Sequence, residues 1–201
     1  MRLPVRLVRF AFGLLYGPFA PIYDWVSRTF FLGQWVHWQQ AALLEAEGRI
    51  LEIGSGTGAL QQVARDRGLD WTALERSPQM IREARRRLGS ARLVRADARA
   101  LPLRGGTFDR VVSTFPSEYI LSPTVLAEIA RVLQPDGAIL VVPLGVLRPD
   151  GMFGRLLDRF HLLVYGDAPP PHGIAGPAGV TWTACWVDSP HGRALLLIGR
   201  R

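Results

Sequence analysis

The chain has 201 residues, of which 48% are hydrophobic and 20% are charged, a balance typical of one globular domain. Its formal net charge is +7, and all 24 basic residues are Arg. Because Lys and Asn are both absent, we interpret this charge as a compositional bias and expect no nucleic-acid partner. The single cysteine, Cys185, excludes an intrachain disulfide and a thiolate metal cluster, and its apolar neighbours predict a core position.

The first 34 residues form a segment of their own. Arg2, Arg6 and Arg9 share one helical face and apolar residues cover the rest, until Pro18 and Pro21 interrupt the pattern. Two interpretations stay open: a helical layer that packs on the core or closes over a cofactor, and a basic amphipathic helix on a membrane surface. The chain has no run of about 20 apolar residues and no signal-peptide cleavage pattern. We therefore expect a cytoplasmic protein whose residues 1–34 form a lid or a membrane-peripheral segment.

Helices and strands alternate along the next part of the chain. Gly48 and Gly68 end helical patterns, and Ser77 and Ser122 each precede a proline at a first helical position. The predicted helices are residues 34–47, 59–67, 77–88 and 122–133, and the predicted strands are residues 49–53, 70–75, 91–96, 108–114 and 138–143. Residues 135–137 (Pro-Asp-Gly) predict a turn before the last of these strands. Alternation at this spacing predicts a parallel sheet with helices on both faces.

The end of the chain changes character. Asp150 begins a helical pattern that runs toward Tyr165, and a loop with three consecutive prolines follows. Two β-rich runs, residues 180–187 and 193–198, are separated by a connection so short that it permits only an antiparallel hairpin. We therefore assign residues 35–201 to one α/β domain. Its fold class is a Rossmann-like doubly wound sheet, mostly parallel, with an antiparallel C-terminal hairpin.

A glycine-rich turn, Glu52 to Gly58 (Glu-Ile-Gly-Ser-Gly-Thr-Gly), joins the first strand to a helix. Glycine permits positive φ here and lets a ligand approach the bare main chain at the N-terminus of the helix. Gly54, Gly56 and Ala59 satisfy a dinucleotide-binding fingerprint, and an acidic residue, Glu75, follows about 20 residues later. A nicotinamide-dependent oxidoreductase therefore stays open at this point.

Three further features favour a different nucleotide. Glu52 stands two residues before the first glycine, where a carboxylate orients the turn and meets a cationic ligand group. Asp97-Ala98 ends the third strand, Phe108-Asp109 opens the fourth, and a Leu-x-Pro-x-Gly pattern precedes the fifth. Together with the turn, these features resemble the class I S-adenosylmethionine-dependent methyltransferases, especially the type that includes the ubiquinone and menaquinone C-methyltransferases.

This resemblance implies a seven-stranded sheet and S-adenosylmethionine as the cofactor. The family holds the methionine part of the cofactor at the positions that match the glycine turn, the ribose at Glu75, and the adenine beside Met80 and Asp97. Thr114 and Phe115 would lie near the transferable methyl group. The implied cofactor-binding residues are Tyr23, Glu52, Gly54, Ser55, Gly56, Thr57, Gly58, Glu75, Arg76, Met80, Asp97, Ala98, Thr114 and Phe115.

Methyl transfer from a sulfonium is an in-line displacement, so the protein mainly holds the acceptor and excludes water. No metal and no covalent nucleophile are expected. A general base is needed only where the acceptor loses a proton, and Glu118 and Tyr119, just past the fourth strand, are the catalytic candidates. Relatives that methylate planar nitrogens carry an Asp/Asn-Pro-Pro-aromatic motif here. This chain has Thr-Phe-Pro-Ser instead, which argues against nucleobase and protein-amide acceptors.

The acceptor is inferred from the segments that flank the site. The aromatic N-terminal segment and the apolar residues 160–165 favour a small hydrophobic acceptor, such as a quinone precursor or another lipid-like molecule. Two other interpretations stay open: a non-catalytic protein that binds the same cofactor, and a nicotinamide-dependent oxidoreductase. Against the second, a chain without Lys has no Tyr-x-x-x-Lys pair. The oligomeric state is not predicted.

Overall fold

The computed structural model describes residues 33–89, 91–147, 159 and 180–200. Tyr23 and almost all of the predicted N-terminal segment lie outside these ranges, as does nearly all of the helix predicted from Asp150 toward Tyr165. The division of the chain at residue 34 therefore stays a prediction. No helix in the described ranges is long and apolar enough to cross a membrane.

The described residues form four α-helices and seven strands. In chain order they are α1 (Gln34–Gln39), β1 (Arg49–Ile53), α2 (Ala59–Asp66), β2 (Asp70–Glu75), α3 (Pro78–Leu88), β3 (Arg92–Arg95), β4 (Phe108–Thr114), α4 (Pro123–Val132), β5 (Leu133–Leu147), β6 (Thr181–Ser189) and β7 (Gly192–Arg200). Two short 3₁₀ helices, Gln40–Leu44 and Glu118–Leu121, complete the described structure. The first helical pattern therefore changes to 3₁₀ geometry after Gln39 and ends before the predicted boundary.

The seven strands form one sheet in the order β3-β2-β1-β4-β5-β7-β6. Strands β1 to β5 pair in parallel, and β7 runs antiparallel to both of its neighbours. The predicted fold class is confirmed. The chain runs outward from β1 to β3 and then returns to the other side of β1 as β4. In open α/β sheets, ligands bind at the carboxyl ends of the strands where the order reverses in this way.

Local sequence signals explain where α3 and α4 begin. The hydroxyl of Ser77 accepts a hydrogen bond from the amide of Met80 at 3.3 Å, and Pro78 occupies the first turn of α3. This arrangement is the N-cap that the sequence predicts. Helix α4 also starts with a proline, Pro123, but the side chain of Ser122 makes no capping hydrogen bond. The proline therefore marks the start of α4 without a capping hydroxyl.

Strand β5 is longer than the sequence predicts. The prediction of a Pro-Asp-Gly turn before the strand is wrong, because β5 begins at Leu133, which pairs with Phe108. The register then shifts, so that Ala138 pairs with Arg110 and residues 134–137 form an irregularity inside the strand. A second irregularity lies between Val141 and Leu144, around a proline that cannot donate to the ladder.

Each buried strand supplies side chains to both faces of the sheet, because successive residues point in opposite directions. Ile50 and Leu140 lie in a core beneath α1 and α2, whereas their neighbours Leu51, Ile139 and Val141 lie in a second core beneath α4. Continuous apolar runs such as residues 138–142 are typical of strands buried on both faces. The two cores fix the positions of β1 and β4 relative to each other, and the ends of these strands border the site.

The predicted C-terminal hairpin is confirmed, with β6 and β7 paired from Thr181 with Arg200 to Ser189 with Gly192. β7 lies between β5 and β6, so β6 is the edge strand. The predicted core position of Cys185 is wrong, because its side chain is exposed on β6. Nearby protein atoms partly desolvate the Cys185 thiol, and this desolvation, followed by the charge of Glu45, raises its pKa. A raised pKa makes this thiol a poor nucleophile.

Gly145 of β5 permits close packing of α1, because a Cβ at this position would collide with the indole ring of Trp38. We expect Gly145→Ala to lower the free energy of unfolding by about 1–3 kcal/mol. In a Trp38→Leu background, which removes the ring, the same substitution should cost less than half as much. Urea unfolding of the four proteins in this double-mutant cycle measures the coupling. Equal costs in both backgrounds would contradict this packing.

Candidate active site

The glycine turn after β1 contains three residues that need a left-handed backbone. Gly54, Gly56 and Gly58 have φ angles of 79°, 56° and 76°. The amides of Gly54 and Ser55 donate to the carbonyl of Leu74 at 2.8 and 3.2 Å. The turn is therefore hydrogen-bonded to the end of β2, and its positive φ values explain why glycine recurs at every second position.

Glu75, the last residue of β2, also holds the turn, through its side-chain carboxylate. Its Oε2 accepts a hydrogen bond from the amide of Gly56 at 3.0 Å, and its Oε1 accepts one from the amide of Ser77 at 2.7 Å. The side chain is buried. Because a carboxylate offers about four lone-pair sites, each oxygen retains acceptor capacity for a hydroxyl of a bound ligand.

The motif acid Glu52 occupies a different environment from the one that the sequence predicts. It was expected to orient the turn, but its Oε2 accepts a hydrogen bond from the indole Nε1 of Trp71 at 2.9 Å, and the bond to the turn comes from Glu75 instead. Burial raises the pKa of Glu52 from its ordinary 4.5 to about 7, the indole lowers it in part, and the charge of Glu75 raises it further. This carboxyl therefore changes charge near neutral pH.

The turn is packed from behind and open in front. A Cβ at Gly58 would lie 2.5 Å from Leu88 and 3.4 Å from Ala84, so α3 packs directly on the turn. A Cβ at Gly56 would meet no atom of the described residues within 4 Å. The buried hydroxyl of Ser55 has no hydrogen-bond partner among the described residues. Open space beside Gly56 and an unpaired hydroxyl are what a cofactor held against the main chain requires.

Thr57 joins the turn to α3. Its Oγ1 accepts a hydrogen bond from Arg87 at 3.2 Å, although its own side chain is buried. Burial lowers the pKa of the Arg87 guanidinium. Arg87 ends a run of three arginines, residues 85–87, in the last turn of α3. The structure shows that one member of this run supports the turn.

Of the residues expected beside adenine, Met80 lies in the first turn of α3, and Asp97 and Ala98 follow the end of β3. Met80 and Ala98 are buried, whereas Asp97 is partly exposed. The backbone amide of Arg99 donates to Asp97 at 3.0 Å, and this bond, with the nearby guanidinium, lowers the pKa of the Asp97 carboxyl. Arg76 is largely exposed and lies 3.8 Å from Asp97. The structure thus brings these four residues to one side of the turn.

Two residues that sequence reasoning missed hold the loop after Asp97. The carboxylate of Glu128 on α4 accepts a hydrogen bond from the amide of Leu101 at 2.7 Å. The guanidinium of Arg131 donates hydrogen bonds to the carbonyls of Leu101 and Leu103 at 2.9 and 2.8 Å. The hydrogen bond from Arg131, followed by that from Leu101, lowers the pKa of Glu128 to about 2. Their spacing of three on one helix gave only the signal of a surface ion pair. In the fold, this pair anchors the loop to α4.

The end of β4 lies directly beside the turn. The hydroxyl of Ser113 donates to the carbonyl of Ile53 at 2.8 Å, so Thr114 and Phe115 follow next to Gly54. Thr114 is buried, and its Oγ1 accepts a hydrogen bond from Gln39 Nε2 at 3.2 Å. The structure therefore places Thr114 and Phe115 beside the glycine turn, and their closeness to the methionine part of the cofactor stays a prediction.

Phe115 has an unusual backbone and a stacked ring. Its φ of 48° is in the left-handed region, which a residue before proline seldom adopts. Its amide donates to the carbonyl of Val142 at 2.7 Å. Its ring stacks on Trp35 of α1, with the centroids 3.9 Å apart and the planes inclined by 22°. These two contacts hold the ring in place despite the strain.

The two catalytic candidates lie in the 3₁₀ helix that follows β4. A methyl group placed on Gly54 would lie 3.0 Å from the hydroxyl of Tyr119, so this hydroxyl reaches the turn. Glu118 begins the same 3₁₀ helix, and the structure describes only its main chain. Tyr119 is therefore brought to the site, and the role of Glu118 stays a prediction.

Comparison with known proteins agrees with this geometry. Residues 51–141 match the model of the family described as a methyltransferase domain. A demethylmenaquinone methyltransferase from Thermus thermophilus is 32% identical over 151 residues, which cover 70% of this chain and 68% of that protein. The chain belongs to the class I S-adenosylmethionine-dependent methyltransferases. The resemblance inferred from the sequence is therefore confirmed, and the cofactor is S-adenosylmethionine.

Other relatives of this methyltransferase act on a different kind of acceptor. A malonyl-[acyl-carrier protein] O-methyltransferase from Geobacter sulfurreducens is 42% identical over 134 residues, which cover 62% of this chain and 49% of that protein. The chain spans about half the length of several curated relatives that it matches. A solved S-adenosylmethionine-dependent methyltransferase from Thermotoga maritima, named as a possible histamine N-methyltransferase, has a TM-score of 0.56 at 20% identity, over 90% of this chain and 97% of that one. It shares the fold.

The environment of Glu52 gives a pH-dependent stability. In the folded methyltransferase the group keeps its proton up to about pH 7, whereas in the unfolded chain it loses the proton near 4.5. Stability therefore falls as the pH rises from 4.5 to 7, by about 3 kcal/mol at most. Glu52→Gln stays neutral and retains an oxygen for Trp71. We expect its stability relative to the wild type to increase over this interval, as measured by urea unfolding at pH 5 and pH 8.

The exposed Glu47→Gln is the matched control for this measurement, and it should keep the pH dependence of the wild type. Parallel stability curves for the wild type and Glu52→Gln would show that Glu52 keeps an ordinary pKa.

The anchoring pair on α4 gives a second prediction. Glu128→Ala removes the acceptor for the amide of Leu101 and frees Arg131, so the loop of residues 97–104 should open more often. We expect faster hydrogen exchange at the Leu101 amide, with little change in the strands. Glu83→Ala, which breaks an equally spaced Glu–Arg pair on α3, is the control. Unchanged exchange at Leu101 in Glu128→Ala would exclude this anchoring role.

Proposed function

We propose that this chain catalyses methyl transfer from S-adenosylmethionine to a small, neutral, aromatic acceptor of the quinone-precursor type. The observation that carries the proposal is the open glycine turn, with its unpaired Ser55 hydroxyl, beside the partly buried aromatic pair Trp35 and Phe115. The family match supports the reaction class, and the aromatic pair supports the class of acceptor.

The residues of the turn would hold the cofactor. We assign the methionine part to Glu52 and the turn from Gly54 to Gly58, and the ribose to Glu75, which has acceptor capacity left after binding two amides. The adenine would lie beside Met80 and Ala98, with Asp97 and Arg76 at the margin. The cofactor supplies a methyl group that its sulfonium has already activated, so the chain needs neither a metal nor a covalent nucleophile.

The work of the protein is then to position the acceptor and exclude water. Thr114 and Phe115 lie beside the turn, and Trp35 covers the Phe115 ring. An apolar aromatic surface favours a flat, uncharged molecule. It also lowers the local dielectric constant, which strengthens the electrostatic interactions of a reacting sulfonium centre.

The relatives differ in acceptor, and the charges near this site favour one type over the other. A malonyl group carries a carboxylate, which proteins bind with Arg or Lys. Helix α1 and residues 113–122 contain no Arg, and the chain contains no Lys. The absence of Arg and Lys from these stretches supports a neutral acceptor, as in a quinone precursor, over an acidic one.

Glu118 and Tyr119 are our candidates for proton transfer. Tyr119 reaches the turn at Gly54, so its hydroxyl would contact the cofactor or acceptor near the reacting methyl group. Glu118 would act as the base if the acceptor loses a proton. We further propose that residues 1–34 cover the site and contact a membrane surface, because a quinone precursor dissolves in membranes. The location would then be the cytoplasm or its membrane face.

The cofactor site can be tested with two matched glycine variants. Gly56 and Gly68 both have positive φ, and within the part of the chain that the structure describes a Cβ at either position meets no atom within 4 Å. Valine therefore costs both backbones a similar strain of about 1–2 kcal/mol. We expect Gly56→Val to weaken the binding of S-adenosylhomocysteine about 100-fold or more, because a side chain would enter the cofactor space. Gly68→Val should bind like the wild type in calorimetric titration.

NADH is the parallel ligand in these titrations, and it should not bind. The wild-type protein should bind S-adenosylhomocysteine. It should also produce and release S-adenosylhomocysteine as a reaction product when it is incubated with S-adenosylmethionine and a demethylated naphthoquinol. Binding without release would identify a non-catalytic cofactor-binding protein. Binding of NADH alone, or normal binding by Gly56→Val, would contradict the proposed cofactor site.

A further inference from the structure

Gln39, the last residue of α1, bears an amide group that is only half satisfied. Its Nε2 donates to Thr114 Oγ1 at 3.2 Å, at the end of β4. Its Oε1 is buried and has no hydrogen-bond partner among the described residues. A buried amide oxygen without a partner destabilises the folded state, because it has lost its hydrogen bond to water. Because an amide oxygen only accepts, the partner that it lacks is a hydrogen-bond donor.

The surroundings of this oxygen connect it to the acceptor side of the site. Thr114, which binds the other end of the amide, lies one residue after Ser113, whose hydroxyl binds the carbonyl before Gly54. Trp35 lies one helical turn before Gln39, so both side chains extend from the same face of α1. Trp35 stacks on Phe115, the residue after Thr114. One helix and one strand end therefore supply both a hydrogen-bond acceptor and an aromatic wall.

Phe115 provides an independent indication that this corner is functional. A left-handed phenylalanine before a proline is strained, and strain of this kind persists where the surrounding contacts impose it. Here, the contacts are the hydrogen bond to Val142 and the stacking on Trp35. Both the strain and the unpaired oxygen reduce stability at one place, beside the end of β4.

We infer that Gln39 determines acceptor specificity: its Oε1 accepts a hydrogen bond from a hydroxyl group of an aromatic acceptor that packs beside Trp35 and Phe115. This inference rests on the proposed function and makes the acceptor class narrower. It selects a phenol or hydroquinone over an aromatic molecule without a donor. Gln39 is a binding residue in this scheme, and no proton is transferred to it.

Two stable probes test the inference, namely 1-naphthol and 1-methoxynaphthalene, in which a methyl group replaces the hydroxyl proton and removes the donor. Their dissociation constants are measured by calorimetry, with and without S-adenosylhomocysteine. For the wild type we expect 1-naphthol to bind about 10-fold more tightly, the value of one hydrogen bond to a buried acceptor. Gln39→Leu, which keeps a similar side-chain volume, should reduce this ratio to about 1 by weakening the binding of 1-naphthol.

Two controls separate this role from a structural one. Gln62→Leu, an exposed glutamine on α2, should keep the wild-type ratio. Trp35→Leu should weaken the binding of both probes by the same factor and leave the ratio near 10, because it removes the wall and keeps the acceptor oxygen. Circular dichroism confirms that each variant is folded.

Three outcomes would overturn the inference. They are an unchanged ratio in Gln39→Leu, equal binding of both probes to the wild type, and no binding of either probe. If the unpaired oxygen is satisfied by water alone, Gln39→Leu keeps the ratio and gains stability. Failure of the proposed function can be distinguished from failure of this inference, because in that case the wild type does not bind S-adenosylhomocysteine. The titrations without cofactor still decide the role of Gln39 in that case.

Discussion

The carboxylate of Glu75 is the constraint on which the cofactor site depends. It joins the amide of Gly56 in the turn to the amide of Ser77 at the start of α3, and it does so from the end of β2. A turn with three left-handed glycines has many accessible conformations, so it needs such fixed acceptors to keep one shape. The carbonyl of Leu74 supplies the others. The end of β2 thus defines the form of the turn before any ligand binds.

The site has a polar side and an aromatic side, and different elements build each of them. Glu75, Asp97 and the loop anchored by Glu128 lie on the side of β2 and β3. Thr114, Phe115 and the residues of α1 lie on the side of β4. The order reversal between β1 and β4 brings the two sides together. A charged nucleotide and an apolar acceptor can then meet at the turn without sharing the same surface.

Glu52 shows how burial changes the meaning of a motif residue. Beside the Trp71 indole and near Glu75, its carboxyl is neutral through much of the range below pH 7. A bound cation would favour the ionised form, so cofactor binding and the loss of this proton are thermodynamically linked. The same desolvation that makes the group costly to ionise would strengthen its interaction with a cationic ligand.

The sequence by itself determined the sheet, the glycine turn, the cofactor class and the residues at the strand ends. The sheet and the turn depend on local signals: alternation of strands and helices, glycines that need positive φ, and the Ser77-Pro78 helix start. The cofactor class followed from the resemblance of the turn and the strand-end residues to a known methyltransferase family. Only the tertiary structure decided which partners those residues have. The Trp71 bond of Glu52, the anchoring of the loop by Glu128 and Arg131, and the meeting of Gln39 with Thr114 join residues far apart in the chain. The irregular start of β5 and the exposed Cys185 were also missed, because strand pairing and edge position override local turn and hydrophobicity signals. Such contacts produce no recognisable residue spacing in a single sequence, because they arise only when the fold brings the strand ends to one edge of the sheet.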